Sequence, residues 1–367
     1  MKIATRINRL GTETAFAVSA QARKWAAKGN KIYPFHLGDI NLSTPLNIVE
    51  AANKYIVDGK NGYCPAEGIL PLREVLAEDV GIKRGVHFDP ENVSVQPGGK
   101  PTIGKFIQAV MNPGDEVLYP NPGYPIYESQ IEYHGGIAVS YRYDETDTGF
   151  AIDIEKLKTS VTDKTTALIY NNYNNPISAE SSREEMEALA QIAIEHDLWV
   201  LSDDAYYEML YDTEPQSIVN IPGMQERSVI LYTFSKKFAM TGWRCGYIAA
   251  PLEIAEACTK MQGQFTSATS GISQRAALAA IKADPRESTR EMWEAFNERR
   301  HKVSQWLSEI PGFKTNMPQG AFFFLPEVDQ LFGKKAGERP INDAGDLCMY
   351  LLEEALVALV PGDAFGN

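Results

Sequence analysis

The chain is expected to fold as an α/β protein with two parts: a large domain on a mostly parallel, helix-covered sheet and a smaller α/β domain. Three observations predict this. Short β-type runs alternate with helical ones from about residue 90 to 250, and such alternation lays strands side by side with helices on both faces. The residues best suited to chemistry gather at the ends of those strands, where ligands of open α/β sheets sit. After residue 285 the pattern changes to a long helix, a Phe-rich strand, a further helix and a last β run.

The elements follow in order. Residues 12–28 carry a helical pattern that stops at Gly29, a residue suited to a C-terminal cap. Val93-Ser94-Val95 reads as a strand running into Gly98-Gly99 and then a helix through Met111. Glu116-Val117-Leu118-Tyr119 is a strand closed by the Pro/Gly-rich segment 120–125, and Thr166–Tyr170 is another. In 183–196, Met186, Leu189, Ala190 and Ala193 share one helical face, and the strand 198–202 follows. Ser228–Thr233 reads as a buried strand. Beyond 285 come a helix over about 287–309, a strand at Ala321–Leu325 and a helix over 343–356.

Composition narrows the function classes. Of 367 residues, 35 are Lys or Arg and 48 Asp or Glu, so the formal charge of −13 argues against nucleic-acid or anionic-membrane partners. Four scattered cysteines (Cys64, Cys245, Cys258, Cys348) form no C-x-x-C pair, and five scattered histidines have no ligand spacing, so no metal site is expected. No apolar signal core or membrane-length run is present, and the expected location is cytoplasmic.

Chemistry is concentrated in a few segments. In Thr233–Tyr247, Lys236 and Arg244 are eight residues apart, across a bend rich in Thr and Gly. A lysine at the mouth of a buried strand can be dehydrated and deprotonated, as a Schiff-base lysine must be. The arginine can clamp a phosphate with its planar fork; the plainer alternative is a solvated Lys-Lys turn. Pro97-Gly98-Gly99-Lys100-Pro101-Thr102 lies between a strand and a helix, where bare backbone N–H groups cradle phosphate. It is not a nucleotide P-loop, because Lys100 precedes Pro instead of Ser or Thr. In Tyr119–Tyr127 prolines stiffen the loop, so Tyr124 can serve as a flat platform or as a core tyrosine. Asn174-Asn175-Pro176-Ile177-Ser178 is an Asn-Pro turn after one strand, and Asp203-Asp204-Ala205-Tyr206 ends the next. Asn61–Gly68 with Leu72-Arg73, and Leu37-Gly38-Asp39, complete the set.

Together these segments resemble, in order and spacing, the class I/II aminotransferases of fold type I, enzymes that use pyridoxal 5'-phosphate (PLP). The resemblance implies a large PLP-binding domain over 39–284 and a small domain from 1–38 with 285–367. It implies Lys236 as the Schiff-base lysine, Asp203 as partner of the pyridine nitrogen, and Tyr206 and Asn175 at the ring oxygen. Tyr124 would lie against the ring. Gly98, Gly99, Lys100 and Arg244 would hold the phosphate, Thr233 and Ser235 would also bind the cofactor, and Tyr63 would reach the other subunit's phosphate in a homodimer. Gly38, Asn175 and Lys100 would face the substrate. Here Gly38-Asp39-Ile40-Asn41 departs from the family's usual G-x-P-D.

The family also places an α-carboxylate-binding arginine shortly after P-G-x-x-F-G. Here Pro361–Gly366 is present and the sequence stops at Asn367, so this segment is expected to belong to a longer chain; a molecule truly lacking it is expected not to transaminate efficiently. Segments 261–267, 273–280 and 351–358 resemble the bacterial aspartate/prephenate-type subgroup, implying ping-pong transfer from aspartate to 2-oxoglutarate. Alanine or aromatic transamination, a PLP-dependent C–S lyase and an amino-acid oxidase are the alternatives on the same fold. A PLP-binding regulator would require a basic DNA-binding domain, which this acidic chain does not carry.

Overall fold

The structure is a computed structural model that describes residues 2–11, 14–146, 149–283 and 285–366, without the side chains of 285–287. Eight strands form the central sheet, numbered here in chain order: β1 Val93–Gln96, β2 Glu116–Asn121, β3 Ile137–Thr146, β4 Gly149–Ile152, β5 Thr165–Tyr170, β6 Trp199–Asp203, β7 Ser228–Thr233 and β8 Gly246–Ala249. Their spatial order is β1-β8-β7-β6-β5-β2-β3-β4. The inner neighbours from β7 to β3 pair in parallel, whereas β8 runs antiparallel to both β1 and β7, and β4 antiparallel to β3.

Alternation along the inner strands feeds two cores, one on each face of the sheet. Val200 and Ile230 belong to one, with Leu118, Leu168 and Met186. Leu201, Val229 and Leu231 belong to the other, with Ile103, Phe106 and Tyr127. Each such fully buried aliphatic side chain contributes about 1.5–3 kcal/mol relative to exposure. The helix Arg183–Glu195 opens on a capping box from Ser182 and Glu185, and its predicted apolar face is buried at Met186, Leu189, Ala190 and Ala193.

The N-terminal helix spans Thr14–Ala26; positions 12 and 13 of its expected range lie outside the described residues. Tyr33–Pro34 pairs in parallel with Val357–Ala358, which joins the two ends of the chain in one small unit. The long helix there spans Pro285–Ser308, and Arg300 ties it to Asp212 at 2.6 and 3.0 Å.

One predicted strand is absent. Ala321–Leu325 is irregular: Ala321 has φ of 53°, and Phe323 exchanges both backbone groups with the Ser178 hydroxyl at 3.1 Å instead of with a neighbouring strand. Its rings are used for packing, since Phe322 and Phe323 both stand edge-on to Tyr206, at 5.9 and 5.5 Å between centroids.

Candidate active site

Most of the predicted site residues lie at one edge of the sheet. Asp203 is the last residue of β6, Lys236 follows β7, Asn175 follows β5, Tyr124 follows β2 and Gly98 follows β1. Arg244 lies before its strand, not after one. Because β8 is antiparallel, its start stands at the edge where its neighbours end, with Gly246 opposite both Gln96 and Thr233.

Gly98 has φ of 95°, and a Cβ there would stand 2.3 Å from Arg244 Nη2, so only glycine lets the guanidinium close over this turn. The Gly98 N–H, expected as a phosphate donor, points back to the Gln96 carbonyl at 2.8 Å, and the amides that follow open the helix Gly99–Val110. Arg244 is exposed, in left-handed backbone with φ of 54°, and donates to the Thr241 carbonyl at 2.8 Å. Thr233 Oγ1 donates to Ser235 Oγ at 2.8 Å, which fixes both buried hydroxyls between β7 and the lysine.

Lys236 is half-buried and donates to the Gly38 carbonyl at 2.5 Å, with its ammonium 5.5 Å from the centre of the Phe322 ring. Segment 38–44 is docked on the lysine loop: Thr241 donates to Asp39 and Thr44 to the Ala239 carbonyl, each at 2.7 Å. Lys237 takes a different direction from its neighbour. It is tied to Glu208 Oε1 at 2.5 Å, and Lys83 meets the same oxygen at 2.8 Å. The pair is therefore not a solvated turn. Burial alone would push Glu208 up, but the two lysines hold it down to about 2.

Asp203 is 5% exposed and accepts from the Tyr127 hydroxyl at 2.7 Å and from the Ala205 N–H at 3.3 Å. Burial pushes its carboxyl up to about 6, against these two hydrogen bonds, which pull it down, and the Asp204 charge, which adds to the rise. Tyr127 was legible only as part of the tyrosine segment; Tyr124 stands just before the helix Ile126–Tyr133 that carries Tyr127, and their rings meet edge-on at 5.7 Å. Asp204 leaves the strand on the opposite face, where Arg84 binds it.

Tyr206 is buried beside the Asn175 carboxamide, and burial raises its hydroxyl well above the ordinary range. Asn175 Oδ1 is buried with no hydrogen-bond partner. Lys100 projects its ammonium 5.3 Å from the Phe16 ring and 6.0 Å from Tyr124, between the N-terminal helix and the tyrosine platform. Tyr63 is not part of this cluster: it is 99% exposed. Among the described residues no group of three or more His, Cys, Asp or Glu could hold a metal, and no helix is long and apolar enough to cross a membrane.

A glycine turn beneath an arginine, a lysine and a buried carboxylate thus stand together at one edge of the sheet. Residues 32–367 match the family model for aminotransferase class I and II, and the chain belongs to that family. It is a transaminase. The chain is 36% identical over 370 residues to an aspartate aminotransferase of Streptomyces avermitilis, covering 100% of this chain and 90% of the relative. It is 35% identical to an aspartate/prephenate aminotransferase of Cereibacter sphaeroides, covering 98% and 90%. The solved structure of a Thermus thermophilus aspartate aminotransferase with maleate superposes with a TM-score of 0.91 at 32% identity, covering 100% of this chain and 92% of that one.

Proposed function

We propose that this transaminase moves the amino group of L-aspartate to 2-oxoglutarate by a ping-pong mechanism, with PLP held at the sheet edge. The observation that carries the reading is the placement of Lys236 between the Gly98–Arg244 cradle and the buried Asp203 carboxylate. The unpaired end of Asn175 and the Arg244 guanidinium lying over the left-handed backbone of Gly98 fit a ligand with a polar ring substituent and a phosphate. PLP supplies an aldehyde that accepts the amino group and a ring that takes up electrons released at the substrate Cα.

The protein's part follows from its side chains. Lys236 Nζ holds the cofactor and then carries the proton taken from the substrate Cα. The Asp203 carboxylate would retain a proton on the ring nitrogen, with Tyr127 orienting it. Tyr206 and Asn175 would face the ring oxygen, and Tyr124 would lie against the ring. Gly99 and Lys100 amides, Ser235 (fixed by Thr233) and Arg244 hold the phosphate, with Gly98 making room. Gly38, Asn175 and the Lys100 ammonium face the substrate.

We further propose a large domain over 39–284, a small one from 1–38 with 285–367, and a cytoplasmic homodimer. The fully exposed Tyr63 and the 85%-exposed Val57 nearby in sequence support a covered face there.

The test is the visible spectrum of the purified protein with PLP. A new absorption band should form, bleach with aspartate and return with 2-oxoglutarate, and Lys236→Ala should abolish it. No band in the unsubstituted protein, or no difference in Lys236→Ala, would sink the PLP reading. Pyruvate and ammonia formed without any 2-oxo acid would instead identify a lyase.

A further inference from the structure

Asp203 and Asp204 are adjacent, but strand geometry sends them to opposite faces of the sheet. Asp204 shares its face with Ser202, whose hydroxyl donates to Asp204 Oδ1 at 2.7 Å. Its other oxygen accepts from Arg84 Nε at 3.0 Å and Nη2 at 2.5 Å. Both partners are almost inaccessible, at 1% and 4% side-chain exposure. Arg84 is delivered by the end of the helix Leu70–Arg84, which Gly85 closes in left-handed backbone, and its guanidinium lies 3.9 Å from the centre of the Tyr207 ring. A buried arginine held by a carboxylate that leaves the strand on the face opposite to Asp203 calls for an explanation. Buried ion pairs add little net stability over apolar packing.

We propose that Arg84 is a positioning residue for Asp203: by neutralising Asp204 across β6, it limits the negative field at Asp203 and so sets the proton affinity that this carboxylate shares with the ring nitrogen. This rests on the reading above in which Asp203 meets the ring nitrogen. With Arg84 present, Asp203 sees a dipole across the strand; without it, Asp203 sees a bare anion one residue away in a dry environment, which raises proton affinity on its side of the sheet. The other groups facing Asp203 are the Tyr127 and Tyr206 hydroxyls, neither of which carries charge at neutral pH. Those facing Asp204 besides Arg84 are Ser202, Tyr207, Tyr170 and Tyr247, also neutral. Arg84 is the cation bound directly to this pair of carboxylates, through Asp204.

The test uses the full chain loaded with PLP carrying 15N at the ring nitrogen, whose chemical shift separates pyridinium from pyridine. Its pH titration is compared in four proteins: unsubstituted, Arg84→Met, Asp204→Asn, and the double variant. Arg84→Met leaves an unpaired anion and should move the titration up by about one pH unit. Asp204→Asn leaves an unpaired cation and should move it down by a similar amount, a sign that loss of packing does not produce. The double variant should return to near the unsubstituted value. Shifts of the same sign in both single variants, no shift in Asp204→Asn, or a double variant as displaced as Arg84→Met would overturn the proposal. If instead the unsubstituted protein forms no visible band with PLP, the cofactor reading fails, and these titrations are not reached.

Discussion

The buried Asp203 carboxylate should make the cofactor-free protein less stable at neutral pH than a variant without that charge. Its ordinary value of 3.8 is raised to about 6 in the fold, chiefly by burial. A group bound more tightly to its proton in the folded state stabilises the fold below its unfolded value, and that contribution is lost as pH rises through the folded one. The loss therefore runs from about pH 4 to pH 6 and is complete above that. The gap corresponds to about 3 kcal/mol, an order-of-magnitude figure for a 5%-exposed group. Asp203→Asn preserves an acceptor for Tyr127 and for the Ala205 N–H while removing the charge. Urea denaturation of the PLP-free proteins at pH 4.5, 6 and 7.5 should show the variant more stable by about 1–3 kcal/mol at pH 7.5, the gap narrowing toward pH 4. The same variant should bind PLP less tightly, because the ring nitrogen loses its counter-charge. A gap that does not change with pH, or an unsubstituted protein that is the more stable one at pH 7.5, would refute the idea that stability is surrendered here for the site.

Two further outcomes can be checked on the same material. Gly98→Ala forces a side chain into left-handed-side backbone and against Arg244, so the PLP dissociation constant should rise about 10- to 100-fold. Binding of pyridoxal, which lacks the phosphate, should change much less; equal losses would mean that the damage is not at the phosphate cradle. Glu208→Gln removes a carboxylate held at about 2, so it should cost on the order of 3 kcal/mol at pH 7. Because the depressed group contributes only above its unfolded value, that cost should fade as pH drops from about 4.5 toward 2, and a cost unchanged at pH 3 would contradict the assignment.

How much of this was legible in the sequence depended on range. Ser228–Thr233 was read residue for residue, because a fully buried strand is a compact apolar run with defined ends. The Phe-rich run at 321–325 carried the same signal and is no strand, since apolarity reports burial and not pairing. Val357–Ala358 is the last expected β run, but its partner Tyr33–Pro34 was too short to announce itself. The chemistry-bearing residues were legible as local motifs. Their partners were not: Tyr127 meets Asp203 across 76 positions and Arg84 meets Asp204 across 120, so nothing local marked either tyrosine or arginine as part of the site. The partner of the Gly98 amide was hidden for a related reason. A glycine pair signals a turn, but which N–H closes that turn and which stays open is set by its geometry.

The spacing of Lys236 and Arg244 has a topological cause that the motif alone does not express. In a purely parallel sheet, a residue just before a strand lies at the edge opposite to a residue just after one. An arginine preceding the next parallel strand would stand a full strand length from the lysine. Here β8 reverses direction, and its first residue, Gly246, pairs with Thr233 at the end of β7 on one side and Gln96 at the end of β1 on the other. The loop between them leaves and rejoins the sheet at the same edge, so twelve residues suffice to present both cations to one site. Gly246 is bound to this arrangement in the same way as Gly98: a Cβ on it would stand 2.7 Å from the Tyr232 carbonyl and 3.5 Å from Gly98 Cα. The two glycines are packed against each other beneath the arginine, and the antiparallel strand is what brings the glycine turn after β1 and the lysine loop after β7 together.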